Sequence, residues 1–159
     1  MLGVWLYHEA YFGNVGALKR AARRDRESLR GQTASGNTLA HIAAINCHLE
    51  VMAFLEAHDL IAFALDITNE EGDDPIMTCI KYGRGRHVHA CLSILAEHCT
   101  PAQLAHRRRR ASAFIGIRGA EFLAIVDCML YMHSGGEPFV WADEFVNEGV
   151  ARLSLSDKV

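Results

Sequence analysis

The feature that most constrains this chain is residues 36–56, GNTLAHIAAINCHLEVMAFLE, which join a turn signal to two short helical patterns. Gly36 begins the segment, and glycine adopts the positive φ of a tight turn at the lowest cost. Thr38 is a favourable N-cap, and small or apolar residues follow it up to a break near Cys47. Residues 49–57 then place apolar side chains at spacings of three and four. Each predicted helix has about two or three turns, so packing against neighbours must stabilise it.

The same segment resembles the ankyrin repeat, with its Gly-x-Thr-Pro-Leu-His-x-Ala-Ala pattern and its Gly-His-Leu-Glu-Val-like second helix. Leu39, Ala40 and Cys47 replace the proline, the leucine and the turn glycine of that pattern. A cysteine in the turn predicts left-handed strain or a modified turn, because a Cβ atom is disfavoured there. The residues that match are Gly36, Thr38, His41, Ala43, Ala44, His48, Leu49, Glu50 and Val51.

A second copy of the pattern begins at Gly72 and retains Pro75. Asp74 and Met77 replace its threonine and histidine, so we expect the hydrogen-bonding pair that links neighbouring turns to be missing there. The resemblance implies an all-α fold, an ankyrin-repeat helical solenoid of about 3–4 repeats with divergent caps, in a single domain. Its predicted units are an N-terminal cap repeat at 1–33, repeats at 34–68 and 69–99, a divergent repeat at 100–133 and a C-terminal capping segment at 134–159.

The divergent repeat carries its own boundary signals. Thr100 and Pro101 predict an N-cap and a first helical position, for a helix that runs to Arg110. Gly119 predicts a turn, and a second apolar helix then starts at Glu121. Against the family pattern, the preceding repeat has an expansion of four residues around Arg84 to His87, which predicts a longer connection than the family normally has.

Composition excludes several classes of protein. The chain has 159 residues, half of them hydrophobic, which suits one globular domain. No apolar run approaches the roughly 18 residues that cross a bilayer, and no secretory signal opens the chain, so we expect no membrane partner. Five cysteines form an odd set within helical sequence, which favours a reducing compartment and buried free thiols. The expected location is cytoplasmic or nuclear, or the host cytoplasm for an effector.

Charge is unevenly distributed along the chain. Residues 1–36 carry six basic and three acidic side chains, whereas residues 37–100 carry three basic and nine acidic ones. The run Arg107, Arg108, Arg109 and Arg110 has three interpretations: a solvated helix end, a docking patch for an acidic or phosphate-bearing partner, or a nuclear-targeting segment. Ser112 also follows these arginines as in sites for basophilic kinases.

Catalytic and metal-binding signals are weak. His87 and Cys91 are spaced to share a helix face, and His89, His98 and Cys99 lie nearby, but structural zinc normally requires four gathered ligands. His41 follows Thr38 by three residues, and the family resemblance implies that its ring bridges the threonine hydroxyl and nearby backbone. We therefore expect no catalytic site, no cofactor and no metal site.

The resemblance implies a non-enzymatic adaptor or inhibitor that binds another protein through its turn tips and the exposed face of its first helices. Short, divergent members of this family include viral inhibitor mimics and bacterial effectors that act inside host cells. A nucleic-acid-binding module based on the arginine run is the alternative of a different class. The predicted partner-binding residues are Tyr11, Phe12, Asn37, Ile45, Asn46, Glu70, Glu71, Asp73, Lys81 and Tyr82.

Overall fold

A computed structural model describes residues 3–113 and 117–133, and every regular element in those ranges is helical. This confirms the all-α prediction for that part of the chain. The predicted capping segment at 134–159 lies outside the described residues. In chain order the elements are α1 (Val4–Tyr11), α2 (Val15–Arg24), a 3-10 helix (Glu27–Arg30), α3 (Leu39–Asn46), α4 (Leu49–Ala57), α5 (Leu60–Ala64), α6 (Pro75–Tyr82), α7 (Val88–Glu97), α8 (Pro101–Ala111) and α9 (Ile117–His133).

Two turns with the same hydrogen bonding precede α3 and α6, 36 residues apart in the sequence. In the first, the Thr33 N–H donates to the Asn37 carbonyl at 2.9 Å. In the second, the Asn69 N–H donates to the Asp73 carbonyl, also at 2.9 Å. Both turns contain a glycine in the left-handed region, which explains the choice of residue. These glycines are Gly36, with φ 79°, and Gly72, with φ 74°.

The helices that follow the first turn have the predicted bounds. Thr38 is the N-cap of α3, α3 ends at Asn46, and α4 spans Leu49–Ala57. Between them Cys47 is left-handed, with φ 49° and ψ 44°, as expected where a cysteine occupies a glycine-like position. Thr100 and Gln103 form a capping box at the start of α8, which confirms the predicted Thr100 cap.

The helices form two packed layers. In one layer α1, α3, α6 and α8 contact one another in that order, and in the other α2, α4, α7 and α9 do so. Apolar side chains between the layers form the core, because no single helix of this length can bury its apolar side alone. Fully buried members include Leu18, Ile42, Met52, Leu92 and Phe122.

The predicted turn at Gly119 was wrong. Gly119 lies within α9, which is continuous from Ile117 to His133 and so begins before the predicted start at Glu121. A glycine in a helix interior costs only about 1 kcal/mol relative to alanine. Burial of Phe122 and Val126 on the same helix outweighs that cost, since each buried large side chain contributes about 1.5–3 kcal/mol.

Candidate functional site

The turn before α6 and the C-terminal turn of α6 form one surface. Helical side chains point toward the N-terminus of their helix, so the last residues of α6 reach back to this turn. Lys81 Nζ lies 2.5 Å from Asp73 Oδ2, and the Tyr82 hydroxyl donates to Glu71 Oε2 at 2.6 Å. We call Glu70, Glu71, Lys81 and Tyr82 the second-turn surface.

The second-turn surface combines an aromatic ring with carboxylates. Tyr82 is 42% exposed, and Glu70 and Glu71 are exposed beside it. The hydrogen bond to the Glu71 carboxylate is the main cause that raises the pKa of Tyr82, so its hydroxyl stays protonated. An exposed aromatic side chain held by an acidic neighbour suits contact with a basic protein surface.

Asp73 does not belong to that surface, contrary to the sequence prediction. Its side chain is only 1% exposed, and it lies between Lys81 at 2.5 Å and Arg110 Nη2 at 3.5 Å. Two cations therefore neutralise this buried carboxylate, which would otherwise be unfavourable away from water. Asp73 holds the turn in place, and a partner has no direct access to it.

The predicted residues of α3 and its turn join units together. Asn37 Oδ1 accepts a 3.0 Å hydrogen bond from Asn69 in the next turn. Asn46 Nδ2 donates to the Tyr11 carbonyl at 2.8 Å, and the Ile45 carbonyl accepts from the Arg84 N–H at 2.8 Å. All three side chains are half-buried, so they offer less contact area than the second-turn surface.

The predicted aromatic pair on the N-terminal unit lies at the end of α1. Phe12 is 64% exposed, whereas Tyr11 is half-buried. Their ring centroids are 5.2 Å apart in an edge-on arrangement, and Tyr11 also stacks on Tyr7 at 6.2 Å. Phe12 is therefore the more accessible aromatic of this unit.

The arginine run of α8 does not form a continuous basic patch. Arg107 is buried, its Nε donates to Asp74 Oδ2 at 2.9 Å, and its Nη2 donates to the Leu65 carbonyl. Asp74 also accepts from the Met77 N–H at 2.9 Å, as the N-cap of α6. The threonine–histidine pair is absent from this turn, as predicted, and an aspartate with a buried arginine takes its place.

The other three arginines differ from one another. Arg108 makes two hydrogen bonds to the Asp127 carboxylate, at 2.6 and 3.2 Å, which raise the pKa of Arg108. Arg110 donates to the Gly72 carbonyl at 2.8 Å. Arg109 is exposed and makes no ion pair within residues 3–113 and 117–133. The prediction of a four-arginine patch is thus corrected to a run with mixed structural roles.

His41 has the structural position that the sequence predicted. The Thr38 N–H donates to Nδ1 at 3.2 Å, the Thr38 hydroxyl lies 2.8 Å from the same atom, and Nε2 donates to the Asp73 carbonyl at 2.9 Å. Nδ1 must accept in this arrangement, so the ring is neutral. Burial lowers the pKa of His41, although the hydrogen bond to Asp73 acts in the opposite direction.

Of the residues that the sequence singled out as possible metal ligands, Cys91 lies in a cluster of three thiols, together with Cys47 and Cys79, which the sequence analysis did not single out. Cys47, Cys79 and Cys91 are buried with their sulfur atoms all within 4.8 Å of one another. A hydrogen bond to Cys47 is the main cause that raises the pKa of both Cys79 and Cys91, and burial adds to it. Among the earlier candidates, His98 Nε2 instead lies 3.0 Å from Glu56 Oε1. Burial raises the pKa of Cys99 to about 11.

No model of a known protein family, no curated protein and no solved structure matches this chain. Within the described residues, the structure also has no helix that is both long and apolar enough to cross a membrane.

Proposed function

We propose that this chain is an ankyrin-repeat module that binds another protein without catalysing a reaction, as an adaptor or inhibitor. The observation that carries the proposal is the stacking of its two equivalent turns. The Glu70 N–H donates to the Ser35 carbonyl at 3.1 Å, and Asn69 Nδ2 donates to Asn37 Oδ1 at 3.0 Å. Stacked turns hold their tips in fixed positions, so a partner can bind without ordering a loop.

We assign the second-turn surface as the region that the partner contacts. Exposed Tyr82 supplies a large, rigid side chain, which is the type that dominates binding energy at protein interfaces. Glu70 and Glu71 supply negative charge, which accelerates encounter with a basic partner. The partner is therefore a protein with a basic surface around an apolar pocket.

Affinity capture from cytosol, with quantitative mass spectrometry, tests this proposal. We expect Tyr82→Ala to lose a partner that wild type retains. Phe63→Ala is the matched control, because Phe63 is a similarly exposed aromatic (38%) on α5. Tyr82→Phe removes only the hydroxyl bond to Glu71 and should retain most binding. The proposal fails if the partner binds Tyr82→Ala as it binds wild type.

Nucleic-acid binding remains the second candidate because α2 presents a row of exposed cations, Lys19, Arg20, Arg23 and Arg24. These residues are independent of the α8 arginines that form ion pairs. We expect only weak, sequence-independent binding that falls steeply with salt. A complex with DNA or RNA that survives about 200 mM salt, and that replacement of the four α2 cations removes, would favour this function instead.

A further inference from the structure

Three elements bring three thiols to one point inside the protein. Cys47 follows α3, Cys79 lies on α6 and Cys91 lies on α7. The Cys47 and Cys79 sulfur atoms are 3.9 Å apart, and all three sulfurs lie within 4.8 Å of one another. Each of these residues is at most 1% exposed. We call Cys47, Cys79 and Cys91 the thiol cluster.

The backbone at Cys47 takes a conformation that favours glycine. Its φ of 49° and ψ of 44° are left-handed, a conformation that a Cβ atom disfavours. Glycine would relieve that strain but would remove a sulfur from the cluster. Backbone strain of this kind is common at functional sites, and here it places a thiol beside two others.

The dimensions of the thiol cluster suit three-coordinate metal binding. Metal–thiolate bonds are about 2.3 Å long, so three sulfurs around one ion in a plane are separated by about 4.0 Å. The 3.9 Å separation of Cys47 and Cys79 is close to that value, and the 4.8 Å limit for the whole cluster leaves only a small contraction. All three ligand atoms of the thiol cluster are sulfur.

Three sulfur ligands select for a soft ion. Zinc normally takes four ligands in closed structural sites, and Mg²⁺ and Ca²⁺ require oxygen. Cuprous ion is favoured by thiolates. We propose that Cys47, Cys79 and Cys91 form a buried Cu(I)-binding site. The ion would displace thiol protons to solvent, and its charge would offset part of the thiolate charge in the apolar interior.

Chelator competition tests the site directly. Reduced Cys128→Ser protein, which lacks the exposed thiol, is titrated without oxygen with Cu(I) supplied as its acetonitrile complex. Bathocuproine disulfonate competes for the ion and reports free Cu(I) by its colour. We expect one equivalent per chain to resist the chelator and to raise the thermal midpoint. Zn(II) added in the same way should neither displace Cu(I) nor raise the midpoint.

Variants in the same Cys128→Ser background identify the ligands. Cys47→Gly should lower Cu(I) affinity by at least about 100-fold while relieving the left-handed strain, so circular dichroism should still show a folded protein. Cys79→Ala should weaken binding in the same way. Cys99→Ala removes a buried thiol outside the cluster and should bind as the parent does. Unchanged affinity in Cys47→Gly and Cys79→Ala, equal loss in Cys99→Ala, or preference for Zn(II) would overturn the proposal.

Discussion

The Arg107–Asp74 ion pair joins α8 to the cap of α6, and removing the arginine is our most specific test of the fold. Both side chains are 5% exposed, and the Nε–Oδ2 distance is 2.9 Å. Arg107→Met keeps the approximate length of the side chain but removes its charge and its hydrogen bond to the Leu65 carbonyl. The substitution therefore leaves the buried Asp74 carboxylate without its main cationic partner.

Arg107→Met should lower the free energy of unfolding by about 3 kcal/mol. Breaking a buried ion pair by removing one partner typically costs about 3–5 kcal/mol. We expect the lower end of that range because the Asp74 carboxylate keeps two stabilising neighbours. It accepts a capping hydrogen bond from the Met77 N–H at 2.9 Å and lies 3.8 Å from Arg110 Nη1. A loss of that size corresponds to a decrease of roughly 6–12 °C in the thermal midpoint of a domain of this length.

Urea unfolding followed by far-ultraviolet circular dichroism measures this difference. Arg109→Met is the control, because Arg109 is exposed on the same helix and the same charge is removed. It should leave the unfolding midpoint unchanged. Arg107→Met in an Asp74→Asn background should cost clearly less than in wild type, because the unpaired charge is then absent. Equal effects of Arg107→Met and Arg109→Met on stability would refute the assignment of Arg107 to the interior.

Two further predictions concern the turns. Burial lowers the pKa of His41 below its ordinary 6.5, so below pH 6.5 the unfolded chain binds a proton that the folded chain does not. Stability should therefore fall as pH drops through that range, by up to about 1.4 kcal/mol per pH unit for this proton, and urea unfolding of His41→Gln should lack that component. Parallel pH profiles would contradict the assignment. Gly36→Ala should destabilise more than Gly72→Ala, although both have positive φ, because only at Gly36 would the new Cβ approach another turn, at 3.1 Å from Asn69 Cα. Equal changes in their thermal midpoints would show that the turns do not pack as described.

Local signals in the sequence were sufficient for the bounds of α3 and α4 and for the start of α8. Thr38 and Thr100 act as caps through bonds to residues only three positions away, so the sequence contains the whole interaction. Gly119 shows the limit of such reasoning. Its local preference for a turn is small, and the burial of Phe122, which depends on other helices, decides the outcome.

The candidate site depended on interactions that local patterns do not contain. Asp73 looks like an exposed turn residue, but Arg110, 37 residues later, helps to bury it. Arg107 looks like one member of a solvated run, but its position on α8 faces the cap of α6. In both cases a charge that the sequence assigned to the surface is neutralised by a distant partner of opposite charge.

Three of the contacts between the two repeated units share one sequence separation. Equivalent positions in the two units are 36 residues apart, but three observed contacts join residues 32 apart: His41 with Asp73, Asn37 with Asn69, and Cys47 with Cys79. Other contacts between the same two units join Ser35 with Glu70 and Ile45 with Arg84, which are 35 and 39 residues apart, so no single offset along the helices describes them all. The pairing of Cys47 with Cys79 has the same sequence separation as the two side-chain contacts between the turns. The position of Cys91 does not follow from that separation, because it depends on the connection from Gly83 to His87 that leads into α7. Adding or removing one residue in that connection should separate Cys91 from the other two thiols and abolish strong Cu(I) binding, whereas replacing exposed Arg86 by serine should leave binding unchanged.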